Sequence, residues 1–152
     1  DEAGLLPLRC PAIARLGKLD ALHTMYGWNQ PVRLGDAFRR RRRSVRSVRF
    51  DPRRPGPSLR AALALARASD AVVAGTYDAR FSPPQAALVR RLAASGVPLA
   101  VLATRGPSDL AAFPRVRTYI ACYNFYDVSL RAAADVMLGL APATGRLPVG
   151  IG

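Results

Sequence analysis

The chain has 152 residues, half of them apolar, and a formal charge of +13. That length fits a single domain spanning residues 1–152 with a core of its own, and the apolar content excludes global disorder. No apolar run reaches the ~18 residues of a membrane helix, so no membrane span is expected.

Lys18 is the only lysine, so the positive charge is almost entirely arginine. One histidine, His23, and two distant cysteines, Cys10 and Cys122, cannot supply the three or four ligands of a metal site. Free, buried thiols are the expectation for the cysteines. Asp1 to Gly4 lacks the basic and apolar regions of a signal peptide, and there is no initiator Met. The expectation is a segment of something longer, with cytoplasmic and secreted or periplasmic locations both open.

In chain order, Ala12 to Leu19 reads as a short strand ending near Gly17. Leu34 to Arg41 reads as a short helix with Asp36 in its first turn. Val45 to Phe50 is β-branched and aromatic and stops at Asp51-Pro52, as a strand would. Arg53 to Pro57 is a turn-rich connector. Ser58 is expected to cap a helix from Leu59 to Ala68, whose apolar positions Leu59, Ala62, Leu63 and Ala66 fall on one face.

Ala71 to Tyr77 and Val97 to Ala103 are apolar throughout, without alternation. Such runs suit parallel strands covered on both faces. Between them, Ser82-Pro83-Pro84 opens a helix that stops at Gly96. Ser108 to Phe113 is a helical turn, and Arg117 to Tyr123 is a further strand. Val128 to Leu140 is a helix with Leu130, Ala134, Met137 and Leu138 inward, and Gly145 to Val149 is extended. The alternation predicts an α/β three-layer sandwich, a mostly parallel open sheet with helices on both faces, Rossmann-like or flavodoxin-like.

That class invites a nucleotide, but the turn Leu16 to Asp20 has one glycine where a dinucleotide fingerprint needs three. No phosphate loop and no GxSxG nucleophile elbow occur, so no cofactor is expected. His23, beside Tyr26 and Trp28, reads as a loop residue. Arg39 to Arg43 are five consecutive arginines, with Arg46 and Arg49 after them. No aromatic stacking pattern interleaves with them, which favours a solvated surface over a nucleic-acid interface. A stand-alone module holding nucleic acid or an anionic wall polymer through Arg39 to Arg49 is the rival functional class.

Several motifs, in register, resemble the C-terminal domain of family 3 glycoside hydrolases, especially the β-N-acetylhexosaminidase branch. They are Asp70-Ala71-Val72-Val73, Ser82-Pro83-Pro84-Gln85, Val97 to Ala103, Gly106-Pro107-Ser108-Asp109-Leu110 with Phe113-Pro114, Tyr119 to Tyr123, Ser129 to Gly139, and Gly145-Arg146-Leu147-Pro148-Val149. Leu5-Leu6-Pro7-Leu8 resembles the family's entry into this domain.

The resemblance implies a parent enzyme that hydrolyses β-N-acetylglucosaminides or β-glucosides with retention. It places the nucleophile Asp, and in this branch a His–Asp acid/base pair, on an N-terminal TIM barrel. A barrel takes about 250 residues and does not fit in this chain. Some members carry an acid/base Glu in the second domain, but here the only glutamate is Glu2. The chain alone is therefore expected to be inactive, with no catalytic residue of its own and the barrel as its partner. Asp78 and Arg80, in the loop after Ala71 to Tyr77, are the residues expected nearest the sugar. The plainer expectation is that they pair with each other in a surface turn. Tyr77 to Phe81 and Arg105 to Asp109 are expected to form the surface buried against the barrel.

Overall fold

The computed structural model describes residues 19–24, 34–41 and 45–147, the first of these as backbone. Five strands form one sheet: β1 (Leu19–Thr24), β2 (Val45–Phe50), β3 (Ala71–Thr76), β4 (Leu99–Ala103) and β5 (Tyr119–Ala121). Their order is β2-β1-β3-β4-β5 and every pairing is parallel. Val73, facing Ala21 on one side and Ala100 on the other, sits at the centre of the sheet.

Among the described residues, four α-helices cover it: α1 (Leu34–Arg39), α2 (Pro55–Arg67), α3 (Pro83–Ala93) and α4 (Asp127–Met137). Two 3-10 turns, Ala79–Phe81 and Pro107–Ala112, follow β3 and β4. The expected α/β sandwich is the observed one, with a 2-1-3-4-5 strand order of flavodoxin type.

Handedness decides which helix covers which face. The steps β2 to β3 and β3 to β4 cross the sheet in one direction, and right-handed crossovers put both helices on the same side. Hence α2 and α3 share a core with Phe50, Val72, Ala74, Val101 and Phe113. The step β1 to β2 runs the other way, so α1 lies opposite, where Leu34 and Phe38 meet Leu130 and Met137 of α4 over Val73 and Leu102. The helices around Leu59 and Ala87 therefore cover one face together. All six residues of β3 are buried, as a strand covered twice must be.

Local differences from the sequence reading have identifiable causes. The first described strand is Leu19–Thr24, and residues 12–18 of the expected strand lie outside the described residues. His23 is in this strand and not in a loop; Asp20 and His23 break the apolar run that marks the other inner strands. Helix α2 starts at Pro55, where proline's missing N–H is harmless. Ser58 thus lies inside the first turn, and its hydroxyl donates back to the Arg54 carbonyl at 3.0 Å instead of capping.

Strand β4 begins at Leu99, one residue after Pro98, which has no N–H to give to a ladder. Strand β5 is three residues long because Tyr123 turns out of it with φ 60°. Gly96 and Gly139 follow α3 and α4 with φ of 78° and 73°, the left-handed conformation that ends a helix. Residues 145–147 carry no regular structure, and 148–149 and the segment 5–8 lie outside the described residues.

Candidate functional site

In an open parallel sheet, functional loops gather at the carboxyl ends of the strands. Here that edge is built from the residues following β3, β4 and β5. Its foundation is buried and polar. The Thr76 hydroxyl donates to Asp109 Oδ2 at 2.7 Å, and Asp109 Oδ1 accepts the Arg80 backbone N–H at 3.4 Å. The Thr104 backbone N–H and hydroxyl both donate to the Thr76 carbonyl, at 2.9 and 2.6 Å. Thr76, Thr104 and Asp109 are all at most 1% exposed.

Gln85, from the first turn of α3, clasps the Tyr77 backbone on both sides. It accepts the Tyr77 N–H at 3.1 Å and donates to its carbonyl at 2.9 Å. Buried polar groups satisfied in this way fix a loop, because breaking any one leaves a partner without water or protein to bond. The Tyr119 hydroxyl donates to the Pro107 carbonyl at 2.7 Å. Burial, aided by the nearby Asp109 charge, raises its pKa far above the usual phenol value, so it stays a donor.

On this foundation stands a row of aromatic rings. Tyr77 packs against Phe125 at 5.9 Å between centroids, and Phe125 against Tyr126 at 5.2 Å. The Arg105 guanidinium lies 5.4 Å above Tyr77, and that of Arg80 lies 4.5 Å above Phe81. Phe81 is 73% exposed and Tyr126 62%, with Tyr123 and Val128 also open to solvent. A cleft of ≈ 410 Å³ opens beside them, lined by Pro52, Tyr77, Phe81, Pro83, Pro84 and Gln85 among others. Asp78 and Tyr123 both hold positive φ, 51° and 60°, which costs a non-glycine residue roughly 1 kcal/mol or more. The two strained positions flank the aromatic row.

The two sugar-proximal candidates do not pair with each other. Asp78 accepts an ion-pair hydrogen bond from Arg105 at 2.5 Å, while Arg80 turns to the Phe81 ring. The reason is local: the left-handed turn at Asp78 sends its carboxylate across to the loop after β4, and the backbone of Arg80 is held by Asp109. Of the two carboxylates named here, Asp78 is matched by Arg105 and Asp109 is enclosed by its donors. The arrangement suits adhesion by ring faces and guanidinium groups.

Among the described residues, no group of three or more His, Cys, Asp or Glu side chains could hold a metal, and no helix is long and apolar enough to cross a membrane. Cys122 is a free thiol, half-buried at the end of β5, and burial pushes its pKa up. Cys10 and Glu2 lie outside the described residues.

The arginine run is partly consumed by the fold. Arg39 pairs with Asp36 and donates to the Val45 carbonyl and the Ser47 hydroxyl, both at 3.0 Å. Arg41 forms a two-pronged bridge to Asp135 of α4 at 2.7 and 2.9 Å. That bridge holds the Asp135 carboxyl below its ordinary value. Arg46 donates to the Ala68 carbonyl at 2.8 Å, and residues 42–44 lie outside the described residues. Composition alone cannot reveal that such a run is stitched into its own domain.

Sequence reasoning missed Tyr123, Phe125 and Tyr126. The available signal was four aromatic residues between Tyr119 and Tyr126, directly after a strand.

Fold and edge together define an open, doubly wound α/β domain with exposed rings on its loop edge. Its similarity is to part of the family 3 β-N-acetylglucosaminidases. It matches a glycoside hydrolase family 3 β-N-acetylglucosaminidase from Paenibacillus with a TM-score of 0.81 and 28% identity, over 88% of this chain and 27% of that one. A fungal multi-domain enzyme of the same family, described as containing a GCN5-related glucosamine N-acetyltransferase region, matches in fold. The TM-score is 0.76 at 24% identity, over 99% of this chain and 17% of that one. The chain thus spans about a quarter or less of the proteins it resembles. No protein-family model and no curated protein matches the sequence.

Proposed function

We propose that this chain is the accessory α/β domain of a family 3 glycoside hydrolase acting on β-N-acetylglucosaminides. It is non-catalytic alone and docks by its strand-end edge on the TIM barrel that carries the catalytic groups. The observation that carries the reading is the Paenibacillus match, at 28% identity over 88% of this chain.

The edge gives the reading a physical basis. Phe81, Tyr126 and Val128 are large apolar side chains exposed to water, Phe81 on a loop whose backbone Asp109 and Gln85 hold, and Tyr126 and Val128 at the start of α4. Rigid exposed rings lose little entropy on association, which is the economy of a docking surface. In this role Asp78 and Arg105 form a polar rim, and Arg80 presents Phe81.

The test is enzymatic. The purified chain should show no turnover of 4-nitrophenyl β-N-acetylglucosaminide, while a parent containing the barrel should. Turnover by the isolated chain that persists through contaminant controls refutes the accessory role. In the parent, Phe81→Ala combined with Tyr126→Ala should lower the unfolding temperature while leaving that of the isolated chain unchanged.

A further inference from the structure

The two helical layers differ in how their charge is matched. On the α1/α4 side every helical carboxylate is matched within the layer: Asp36 by Arg39, Asp127 by Arg131 and Asp135 by Arg41. On the other side, α2 and α3 contain no Asp or Glu at all. Exposed arginines stand there instead: Arg54, Arg60, Arg67, Arg90, Arg91 and, just past the turn against which α3 packs, Arg115. Of these, only Arg90 has a side-chain hydrogen bond among the described residues, to the Ala112 carbonyl at 2.9 Å. The two nearest carboxylates, Asp51 and Asp70, sit beyond the ends of α2.

We infer that the α2/α3 face is a binding surface for a linear, base-free phosphodiester polymer, held by charge. The arrangement is ordered. Arg60 and Arg67 are seven residues apart on one stripe of α2, about 10.5 Å along the helix axis, with exposed Ala64 between them. Arg67, Arg90 and Arg91 occupy the last turns of two helices that run side by side and in the same direction. Cations complement a helix C-terminus, which accounts for that placement but not for Arg54 or Arg60. Small residues between the arginines leave their forks free for two-pronged contacts with phosphate oxygens.

The face carries no aromatic residue in either helix, so it has no platform on which a base could stack. Among the described residues, the exposed rings are elsewhere, on the strand-end edge. The two surfaces are therefore separate, and the polymer would bind whether or not the edge is covered by a barrel. These arginines are also distinct from the Arg39 to Arg49 stretch, much of which is engaged internally.

The experiment is fluorescence anisotropy of the 152-residue chain with labelled poly(glycerol phosphate), across a salt series from 50 to 200 mM. Binding should weaken steeply with salt. R60Q/R67Q/R91Q should lose at least ~10-fold in affinity at 50 mM and flatten the log–log salt slope by about 2, since each lost contact to a single strand is worth about 0.7. R146Q, in the exposed tail, should change affinity less than about 2-fold as a charge-loss control. Because all three changed residues are exposed, the triple variant should melt with the parent chain; if it does not, R60Q alone supplies the comparison.

Three results overturn the inference. They are no binding at 50 mM salt, equal loss in R146Q, or tighter binding of duplex DNA or polyglutamate at matched charge. The second would mean undirected attraction by net charge, and the third a nucleic-acid or acidic-protein partner.

Discussion

Replacing Asp109 by alanine should destabilise the domain by several kcal/mol, although the residue belongs to a loop turn and not to a strand or α-helix. Asp109 is 1% exposed and accepts from the Thr76 hydroxyl at 2.7 Å and the Arg80 N–H at 3.4 Å. Hydrogen bonds to a charged group contribute about 1.5–3 kcal/mol, and a buried donor left without a partner costs about 1–3 kcal/mol. The longer Arg80 contact is the weaker, so the sum falls at about 2–4 kcal/mol. At about 2–4 °C per kcal/mol for a domain of this size, the melting temperature should fall by roughly 4–16 °C. Thermal unfolding followed by far-UV circular dichroism measures it. Adding Thr76→Val should recover part of the loss, because the orphaned hydroxyl goes with it, giving a coupling of about 1–2 kcal/mol. A fall below about 2 °C, or additive effects of the two changes, would refute the clamp.

Leu102→Ala, at a fully buried position of β4, should cost about 2–5 kcal/mol, seen as a lower urea midpoint. At Gly35, buried in α1, an added Cβ would collide with the Ser47 hydroxyl of β2. Gly35→Ala should therefore destabilise by about 1–2 kcal/mol despite alanine's better helix propensity, and Ser47→Ala should restore most of it. Cys122 should react slowly with iodoacetamide at pH 8, because burial raises its thiol pKa. The same shift makes its contribution to stability complete below the unfolded thiol value and lost as pH rises toward the folded one. Asp135 has the opposite sign: Arg41 depresses its pKa, so its contribution is present above the unfolded carboxylate value and lost as pH falls through the folded one. Asp135→Asn should abolish that acid-side dependence in a pH series of urea midpoints.

How much was legible depended on whether a segment's chemistry had one outlet or several. The runs at Ala71 and Leu99 could only be inner strands, since apolar residues on both faces demand two covers. Gly96 and Gly139 mark helix ends because few other residues take positive φ without strain. Ser58 had two outlets, cap or back-bond, and the proline three residues earlier chose between them. Leu19 to Thr24 carries a carboxylate and an imidazole in a strand flanked on both sides, and no periodicity announces that position. Partner choice was least legible of all. Asp78 prefers Arg105, 27 residues away, over its near neighbour Arg80, and only the packed loops bring the two together.

The same distinction separates the two surfaces of the domain. An exposed ring on a loop is ambiguous in a sequence, because it can turn inward; Tyr77 does so in part, while Phe81 and Tyr126 do not. What makes Phe81 informative is the rigidity beneath it. Gln85 and Asp109 hold its loop by buried hydrogen bonds, although its ring stays out in water. Strained backbone at Asp78 and Tyr123 adds a further local cost. A free-standing domain would recover stability by relaxing both positions to glycine or by turning the rings inward. An edge kept rigid, strained and apolar at once is explained if its energy is returned in a complex. On the function proposed above, the barrel of a parent hydrolase would return it, the ends of its strands and the loops of this edge then enclosing one site between them.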